Sequence, residues 1–221
     1  MTLQHRFVIV SLAIVGLSTA ANAQKIVSAV GGTINSGGPG SGALALSYNQ
    51  AGLLTNYVSD VTDFNSYIAT KPLHKWAFTG NEWFGEFGTT SAVVTYDLGS
   101  VRGIDALALW NEDASGIGKL NLLGSIDGAS FFSLSAGLSP IDNPVNADYT
   151  AQVFAFGAAS LRYFRMDMSA CPQSQDAFMA CAIGEVAFRT ANATIPEPST
   201  YALMFAGLAA LGVAARRRRS A

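Results

Sequence analysis

The chain has 221 residues; half are apolar and only 13% are charged, a composition that excludes a disordered protein. The stretch 24–195 carries 14 acidic and 8 basic residues, a net charge of −6 without a basic patch, which argues against a nucleic-acid partner. Histidine occurs only at His5 and His74, which excludes a zinc site built from several histidines.

The first 23 residues form a predicted signal peptide with a helical hydrophobic segment. Arg6 supplies its positive start, and Phe7–Leu17 is an apolar run too short to span a bilayer. Ala21 and Ala23 form an A-x-A cleavage signature, so we expect signal peptidase to leave Gln24 as the first mature residue.

Residues 24–54 are predicted to be a glycine-rich leader and first segment. Within it, Gly31–Gly42 superficially resembles a phosphate-binding loop but lacks the Gly-Lys-Ser/Thr ending that such a loop requires. We therefore expect a flexible leader or a long turn there.

Short β-strand candidates dominate residues 55–190. Ala92–Leu98 alternates, with its even positions predicted to face inward, and Ile104–Trp110 is nearly all apolar, as in a strand buried on both faces. Leu161–Met168 alternates again, with Phe164 and its even neighbours facing inward. No amphipathic helices intervene, so the fold class is all-β, an antiparallel jelly-roll sandwich.

The order of motifs in this region resembles the discoidin, or coagulation factor 5/8 type C, domain of the galactose-binding-like jelly rolls. The motifs that carry the resemblance are Tyr96–Gly99, Ile104–Trp110, Ser125–Gly128, Leu161–Arg165 and Ile183–Val186. Two features depart from the family pattern. Phe131 or Phe132 replaces the usual tryptophan after the hairpin, and Asp63-Phe64-Asn65 replaces the early Asp-Gly turn.

The resemblance implies a structural calcium ion, since many sugar-binding members hold one between an early loop and the last strand. Carried over by position, its ligands would be Asp63, Asn65 and Glu185, which offer the oxygen atoms that calcium prefers. The alternative is that Asp63 caps a turn and that Glu185 pairs with Arg165 or Arg189.

A ligand-binding surface is predicted from aromatic and polar loop residues. Trp76 and Trp83 lie in a segment rich in loop formers, where exposed rings could stack on sugars. Asn111, Glu112 and Asp113 follow a buried strand and could present polar groups at the rim of the sandwich. The alternative is that the aromatic residues close the core.

No catalytic residues are assigned. The chain has no Gly-x-Ser-x-Gly elbow, and His74, beside two lysines, is expected to be a solvent or loop residue. A glycosidase would need two converging carboxylates, and nothing singles out a pair.

Cys171 and Cys181 are the only cysteines. An exported chain with two cysteines is expected to form one disulfide, here closing a short loop ahead of the last strand.

The end of the chain has three successive parts. A linker over 191–200 contains a Pro-Glu-Pro motif, the uncharged stretch 201–215 is a predicted transmembrane helix, and 216–221 is a basic cytoplasmic tail. The residues of the motif and of the basic run are Pro196, Glu197, Pro198, Arg216, Arg217, Arg218 and Arg219.

This arrangement resembles the PEP-CTERM sorting signal of Gram-negative bacteria. The resemblance implies processing by an exosortase, a transient inner-membrane anchor, and a final place at the cell surface or in the extracellular matrix. A plain tail anchor is the alternative.

Together these features predict an exported, non-catalytic protein of the surface or biofilm matrix that binds extracellular polysaccharide through the loops of its sandwich. A structural or adhesion protein that binds protein partners is the alternative, and a polysaccharide hydrolase comes after it.

Overall fold

The computed structural model describes residues 23–76, 80–173, 178–192 and 205–209. The described chain is mostly β-strand, as the sequence predicted. Its elements are β1 (Ile26–Val27), β2 (Gly31–Ser36), a 3₁₀ turn (Leu44–Ser47), α1 (Phe64–Ala69), β3 (Leu73–His74), β4 (Trp83–Phe84), β5 (Ser91–Asn111), β6 (Lys119–Ser125), β7 (Phe132–Leu138), β8 (Tyr149–Thr150), β9 (Gln152–Ser169) and β10 (Ala182–Thr190).

Two long strands, β5 and β9, run antiparallel to each other through the whole sandwich. Their pairing extends from Ser91 opposite Ser169 to Leu109 opposite Gln152 and is interrupted between Asp97 and Arg102. On one side of this interruption β5 pairs with β2, and on the other side it pairs with β10. The two strands therefore bend from one layer of the sandwich into the other.

The two layers follow from this bend. One has the strand order β2–β5–β9–β6–β7, and the other is built from β10, β5 and β9, with β1 and β4 along the outer edge of β10. The small pair β3–β8 is separate. Tyr96 and Phe164 of the first layer meet Phe188 of the second, with ring centroids 6.1 and 4.8 Å apart. These rings close the core between the layers, which confirms a sandwich.

The predicted alternation of the first layer is confirmed. Ala92, Val94, Tyr96 and Leu98 all lie in the core between the layers. On β9 the inward positions are those predicted, including Phe164.

The all-apolar run of β5 is buried on both faces, as predicted. Leu107 and Leu109 face the core between the layers, whereas Ala108 and Trp110 face a second, smaller core. That second core is closed by Phe64 of α1 and neighbouring aromatic residues. A strand covered on both sides has no need of polar alternation, which explains its composition.

The expectation of a flexible leader or turn over 31–42 is wrong for residues 31–36. These residues form β2 and pair with β5 from Gly31 opposite Asp97 to Ser36 opposite Val93. β1 likewise pairs with the end of β10, so the glycine-rich segment contributes strands to the sandwich. The strand could not be recognised in the sequence, because strands are predicted from β-branched and aromatic side chains and this segment is rich in glycine.

The two ends of the chain are described only in part. The predicted signal peptide as far as residue 22, the Pro196–Glu197–Pro198 motif and the Arg216–Arg219 run lie outside the described residues. Of the predicted transmembrane stretch, residues 205–209 are described, and they are helical. Within the described ranges, no helix has the length and apolar character that crossing a membrane requires.

A disulfide joins Cys171 and Cys181, whose Cα atoms are 4.9 Å apart. It closes the loop between β9 and β10, which are not adjacent because β5 lies between them in the sheet. The predicted disulfide between the two cysteines is therefore confirmed.

Replacing Phe188 with alanine should destabilise the protein by about 3–5 kcal/mol, because a fully buried ring that joins the two layers is removed. Denaturant unfolding of the disulfide-intact chain measures this loss. Val30→Ala is the control, since Val30 is 70% exposed, and it should change stability by no more than about 0.5 kcal/mol. A loss below about 1 kcal/mol for Phe188→Ala would contradict the packing described here.

Candidate functional site

Three buried carboxyl groups converge at one end of the second layer. Glu82 immediately precedes β4, and Glu112 and Asp113 immediately follow β5. The first residues of β10 pair with β4 on one side and with the end of β5 on the other, which draws these acids together. Their side chains are 1–2% exposed, and one ligand atom from each lies within 4.8 Å of the others. We call these three residues the acidic cluster.

Glu82 is held by a buried tyrosine. The Tyr149 hydroxyl donates to Glu82 Oε1 at 2.6 Å, and the Tyr149 ring stacks on His74 with centroids 5.0 Å apart. Gly184 makes room for this, since a Cβ there would lie 2.3 Å from the Tyr149 hydroxyl oxygen. The other oxygen, Glu82 Oε2, is buried without a hydrogen-bond partner.

His74 was expected in solvent or in a loop, but it is fully buried in β3. Its Nδ1 lies 2.9 Å from the carbonyl oxygen of Lys75, which can only accept, so Nδ1 carries a proton and donates. Nε2 is buried without a partner. This is the neutral imidazole, and burial accordingly lowers the pKa of His74 to about 4.

The other two acids accept backbone hydrogen bonds from the loops around them. Glu112 Oε2 accepts from the amides of Ala114, at 2.9 Å, and of Ser115. Asp113 Oδ2 accepts from the amide of Asn146 at 2.7 Å, while Asp113 Oδ1 has no partner. The cluster thus joins loops from three parts of the chain.

Burial dominates the electrostatics of the acidic cluster. It raises the pKa of Glu82 to about 9 and that of Glu112 to about 8, because the charged forms lose their hydration. The neighbouring carboxyls push in the same direction. In the described part of the chain, neither acid has a lysine or arginine partner.

The residues that were predicted to bind a ligand differ in how far they are exposed to solvent. Trp83 is fully buried, and its indole nitrogen donates to the carbonyl of Pro39 at 3.2 Å, so it belongs to the core and a stacking role is excluded in this conformation. Asn111 is also buried and binds the loop that follows it through Ile117. Trp76 is 44% exposed, and its backbone amide donates to Asp148 Oδ1 at 3.1 Å.

The residues predicted to bind calcium have other partners in the described structure. Asp63 is the N-cap of α1, where its Oδ1 accepts from the amide of Ser66 at 2.8 Å, which is the turn-capping alternative. Asn65 is exposed, and its side chain donates to Gln24.

Glu185 is fully buried in β10. Its Oε2 accepts from the backbone amide of Gln50 at 2.7 Å, and Oε1 has no partner. It makes no ion pair with Arg165 or Arg189; Arg189 pairs instead with Asp105 at 2.7 Å. Burial raises the pKa of Glu185 well above the usual carboxyl range.

An open cleft of about 320 Å³ lies on the outer face of the first layer. β2, β5 and β9 contribute the floor, since Thr33 pairs with Thr95 and Thr95 with Arg165 across the sheet. Tyr163 lies one outward position from Arg165. The turn between β6 and β7 forms one wall.

Arg165 is fixed at the floor of this cleft. Its Nε donates to the Thr95 hydroxyl at 3.1 Å, and that hydroxyl donates to Asn35 Oδ1 at 2.6 Å. The guanidinium carbon lies 3.6 Å from the centre of the Phe131 ring. Within the described ranges Arg165 is in no ion pair, so its charge faces the cleft without a carboxylate partner.

The wall of the cleft is a tight turn ordered by Asp127. Its Oδ1 accepts from the amides of Ser130 and Ala129, each at 2.9 Å, and these bonds lower the pKa of Asp127. Gly128 has a φ of +76° and packs against the Tyr163 ring. On the far side of this turn, Phe132 is 42% exposed and lines a separate, smaller hollow with Ile126 and Ser130.

A second hollow, of about 440 Å³, lies where β5 and β9 bend. Small residues line it, and its one arginine, Arg102, is paired with Asp60. It presents no aromatic ring, so it offers a ligand less specific chemistry than the cleft.

Sequence reasoning missed the cleft. Its residues come from three strands and a turn, and the pairing of the strands brings Asn35 and Thr95 to Arg165. One signal was present: alternation in β9 places Tyr163 and Arg165 at successive outward positions, an aromatic ring and a cation on the same face.

Comparison with known proteins identifies the end of the chain. Residues 194–219 match the family model of the PEP-CTERM protein-sorting motif, which confirms that part of the predicted resemblance. The motif marks an exported protein that is sorted at the membrane. Among curated protein sequences, none matches this one.

Two of the solved structures that are similar to this chain are carbohydrate-binding modules. The CBM32 of AlyQ, in complex with 4,5-unsaturated mannuronic acid, has a TM-score of 0.45 and 16% identity over 74% of this chain and 96% of that one. A pectin-binding carbohydrate-binding module has a TM-score of 0.44 and 14% identity over 77% of this chain and 96% of that one. The ligands named here are those of the two similar proteins, and the comparison assigns neither of them to this chain.

Stability should fall as the pH rises from 7 to 9 in the presence of a chelator. Burial raises the pKa of Glu185 well above its usual value of 4.5 in the folded chain, whereas the group is ionised in the unfolded chain, so the unfolded chain binds fewer protons. Glu82 and Glu112 act in the same direction, and His74 is neutral in both states over this range. Denaturant unfolding at each pH measures the trend.

The variant Glu185→Gln should show a smaller fall across the same range, because it removes one titrating group. Glu86→Gln is the control, since Glu86 is exposed, and it should keep the full pH dependence. A Glu185→Gln profile that is parallel to the profile of the unsubstituted protein would contradict this account.

Proposed function

We propose that the protein is an exported, non-catalytic protein of the cell surface or extracellular matrix that binds extracellular polysaccharide in the cleft of the first layer. The observation that carries this proposal is the guanidinium of Arg165, which is ordered and in no ion pair at the floor of that cleft, beside the Tyr163 ring. An exosortase would act on the motif at residues 194–219.

The cleft has the two kinds of group that a sugar needs. Tyr163 offers an amphipathic ring at the floor for the apolar side of a sugar ring. Arg165 offers planar, paired donors that fit a carboxylate or two neighbouring hydroxyl groups. Because Asn35 and Thr95 already hold Arg165, little side-chain entropy is lost on binding.

The positions of the carboxyl groups support a non-catalytic role. A glycosidase needs two carboxyls in contact with the sugar, one as acid and one as base or nucleophile. The acids that converge here, Glu82, Glu112 and Asp113, are 1–2% exposed, so a sugar ring cannot reach them in this conformation. Asp127, the acid that lines the cleft, is engaged by its turn.

The variants Arg165→Gln and Tyr163→Ala should each weaken polysaccharide binding about tenfold or more, which corresponds to about 1.4 kcal/mol or more. The first removes a charged donor pair, and the second removes a stacking surface. Affinity electrophoresis and calorimetry with extracellular polysaccharide from the producing cells measure the effect on the full-length protein in mild detergent.

Arg102→Gln is the matched control, because it removes an arginine at the other hollow, and it should bind as the unsubstituted protein does. Loss of binding in Arg102→Gln but not in Arg165→Gln would assign the site to that hollow. If the folded protein binds no polysaccharide, the proposal fails and the adhesion alternative, with a protein partner, takes its place.

Replacing Pro196, Glu197 and Pro198 with alanines should stop sorting, because the matched motif includes them. The full-length precursor should accumulate in the membrane fraction, and the form at the surface or in the medium should be lost. Immunoblots of cell fractions measure this, with Asn192→Ala, just outside the matched residues, as the control. An unchanged distribution would show that sorting does not use the motif.

A further inference from the structure

The acidic cluster lacks a positive charge. Glu82, Glu112 and Asp113 lie at the end of the sandwich remote from the bend, and each is at least 98% buried. The one histidine beside them, His74, has its Nδ1 3.6 Å from Glu82 Oε1, but it is fully buried as the neutral imidazole, with Nδ1 donating to the Lys75 carbonyl. In the part of the chain that the structure describes, no lysine or arginine pairs with the cluster.

A second observation is that two carboxylate oxygens of the cluster have no hydrogen-bond partner, which indicates that the cluster binds a ligand. Glu82 Oε2 and Asp113 Oδ1 are both buried and both without a hydrogen-bond partner. The other oxygens of these two groups are held by Tyr149 and by the amide of Asn146. Buried polar atoms are rarely unsatisfied, so two in one cluster call for an atom that both can bind.

We propose that Glu82, Glu112 and Asp113 bind one calcium ion. The ligand set consists entirely of carboxylate oxygens, which calcium prefers and zinc does not. Two oxygens on one calcium ion lie at most about 5 Å apart, twice the usual bond length, and the ligand atoms of the cluster lie within 4.8 Å of one another. This site differs from the one that the resemblance implied at Asp63, Asn65 and Glu185.

The ion would join three loops at this end of the sandwich. Glu82 precedes β4, Glu112 and Asp113 follow β5, and Asp113 also holds the amide of Asn146 in the loop before β8. Asn143 of that loop donates to the carbonyl of Asn111 at 2.6 Å. The ion therefore stabilises the folded chain and does not depend on polysaccharide binding.

The test is the melting temperature of the full-length protein, in mild detergent, with a chelator and then with calcium. Calcium at about 100 times its dissociation constant should raise the melting temperature by about 5–10 °C. Magnesium should raise it less, because it requires a tighter octahedral shell. Terbium, used as a calcium probe, should show luminescence sensitised by nearby Tyr149. No change with millimolar calcium would overturn the proposal.

The variants assign the response to its site. Glu82→Gln and Asp113→Asn keep the shape of the side chain, and each should lose the calcium-dependent rise, whereas Glu86→Gln and Asp63→Asn should keep it. A rise that persists in both cluster variants, or that is lost only in Asp63→Asn, would overturn the proposal. Should one cluster variant fail to fold, the other variant and the terbium signal of the unsubstituted protein still decide the question.

Discussion

The whole sandwich depends on two strands that belong to both layers at once. β5 and β9 stay paired while they bend, and the bend is fixed by Arg162, which donates from Nε and Nη2 to the two carboxylate oxygens of Asp97, each at 2.8 Å. The amide of Gly99 donates to the same carboxylate, and Gly99 has a φ of +80°, which favours glycine. Because the layers share strands, burying Phe188 between them needs no separate docking step.

This bend explains why the sequence motif around Asp97 was informative. Tyr96 and Leu98 face the core, Asp97 holds Arg162, and Gly99 provides the turn, so each residue has a physical reason for its type. The motif, the alternating strands and the disulfide pairing could all be predicted locally. β2 could not, since its glycines carry no pattern and only its pairing with β5 makes it a strand.

The candidate sites were harder to predict for the same reason. Glu112 and Asp113 could be recognised as polar residues after a buried strand, but whether they face solvent or one another depends on Glu82, thirty residues earlier in the chain and brought close by β10. The cleft likewise exists only after Asn35, Thr95 and Arg165 come into register. Sequence periodicity indicates which face a residue occupies, but not what lies opposite.

The two sites also differ in their distance from the bend. β10 ends at Thr190 beside Ile104, and β1 pairs with the same end of β10, so both the first and the last described strands reach the bend. The acidic cluster lies beside the start of β10, about seven residues along this strand from Thr190, which is a distance of roughly 23 Å. The described chain therefore leaves β10 at the bend, and the acidic cluster orders the loops at the opposite end. The cleft lies close to the bend on the outer face of the first layer, since Tyr163 of its floor pairs with Asp97.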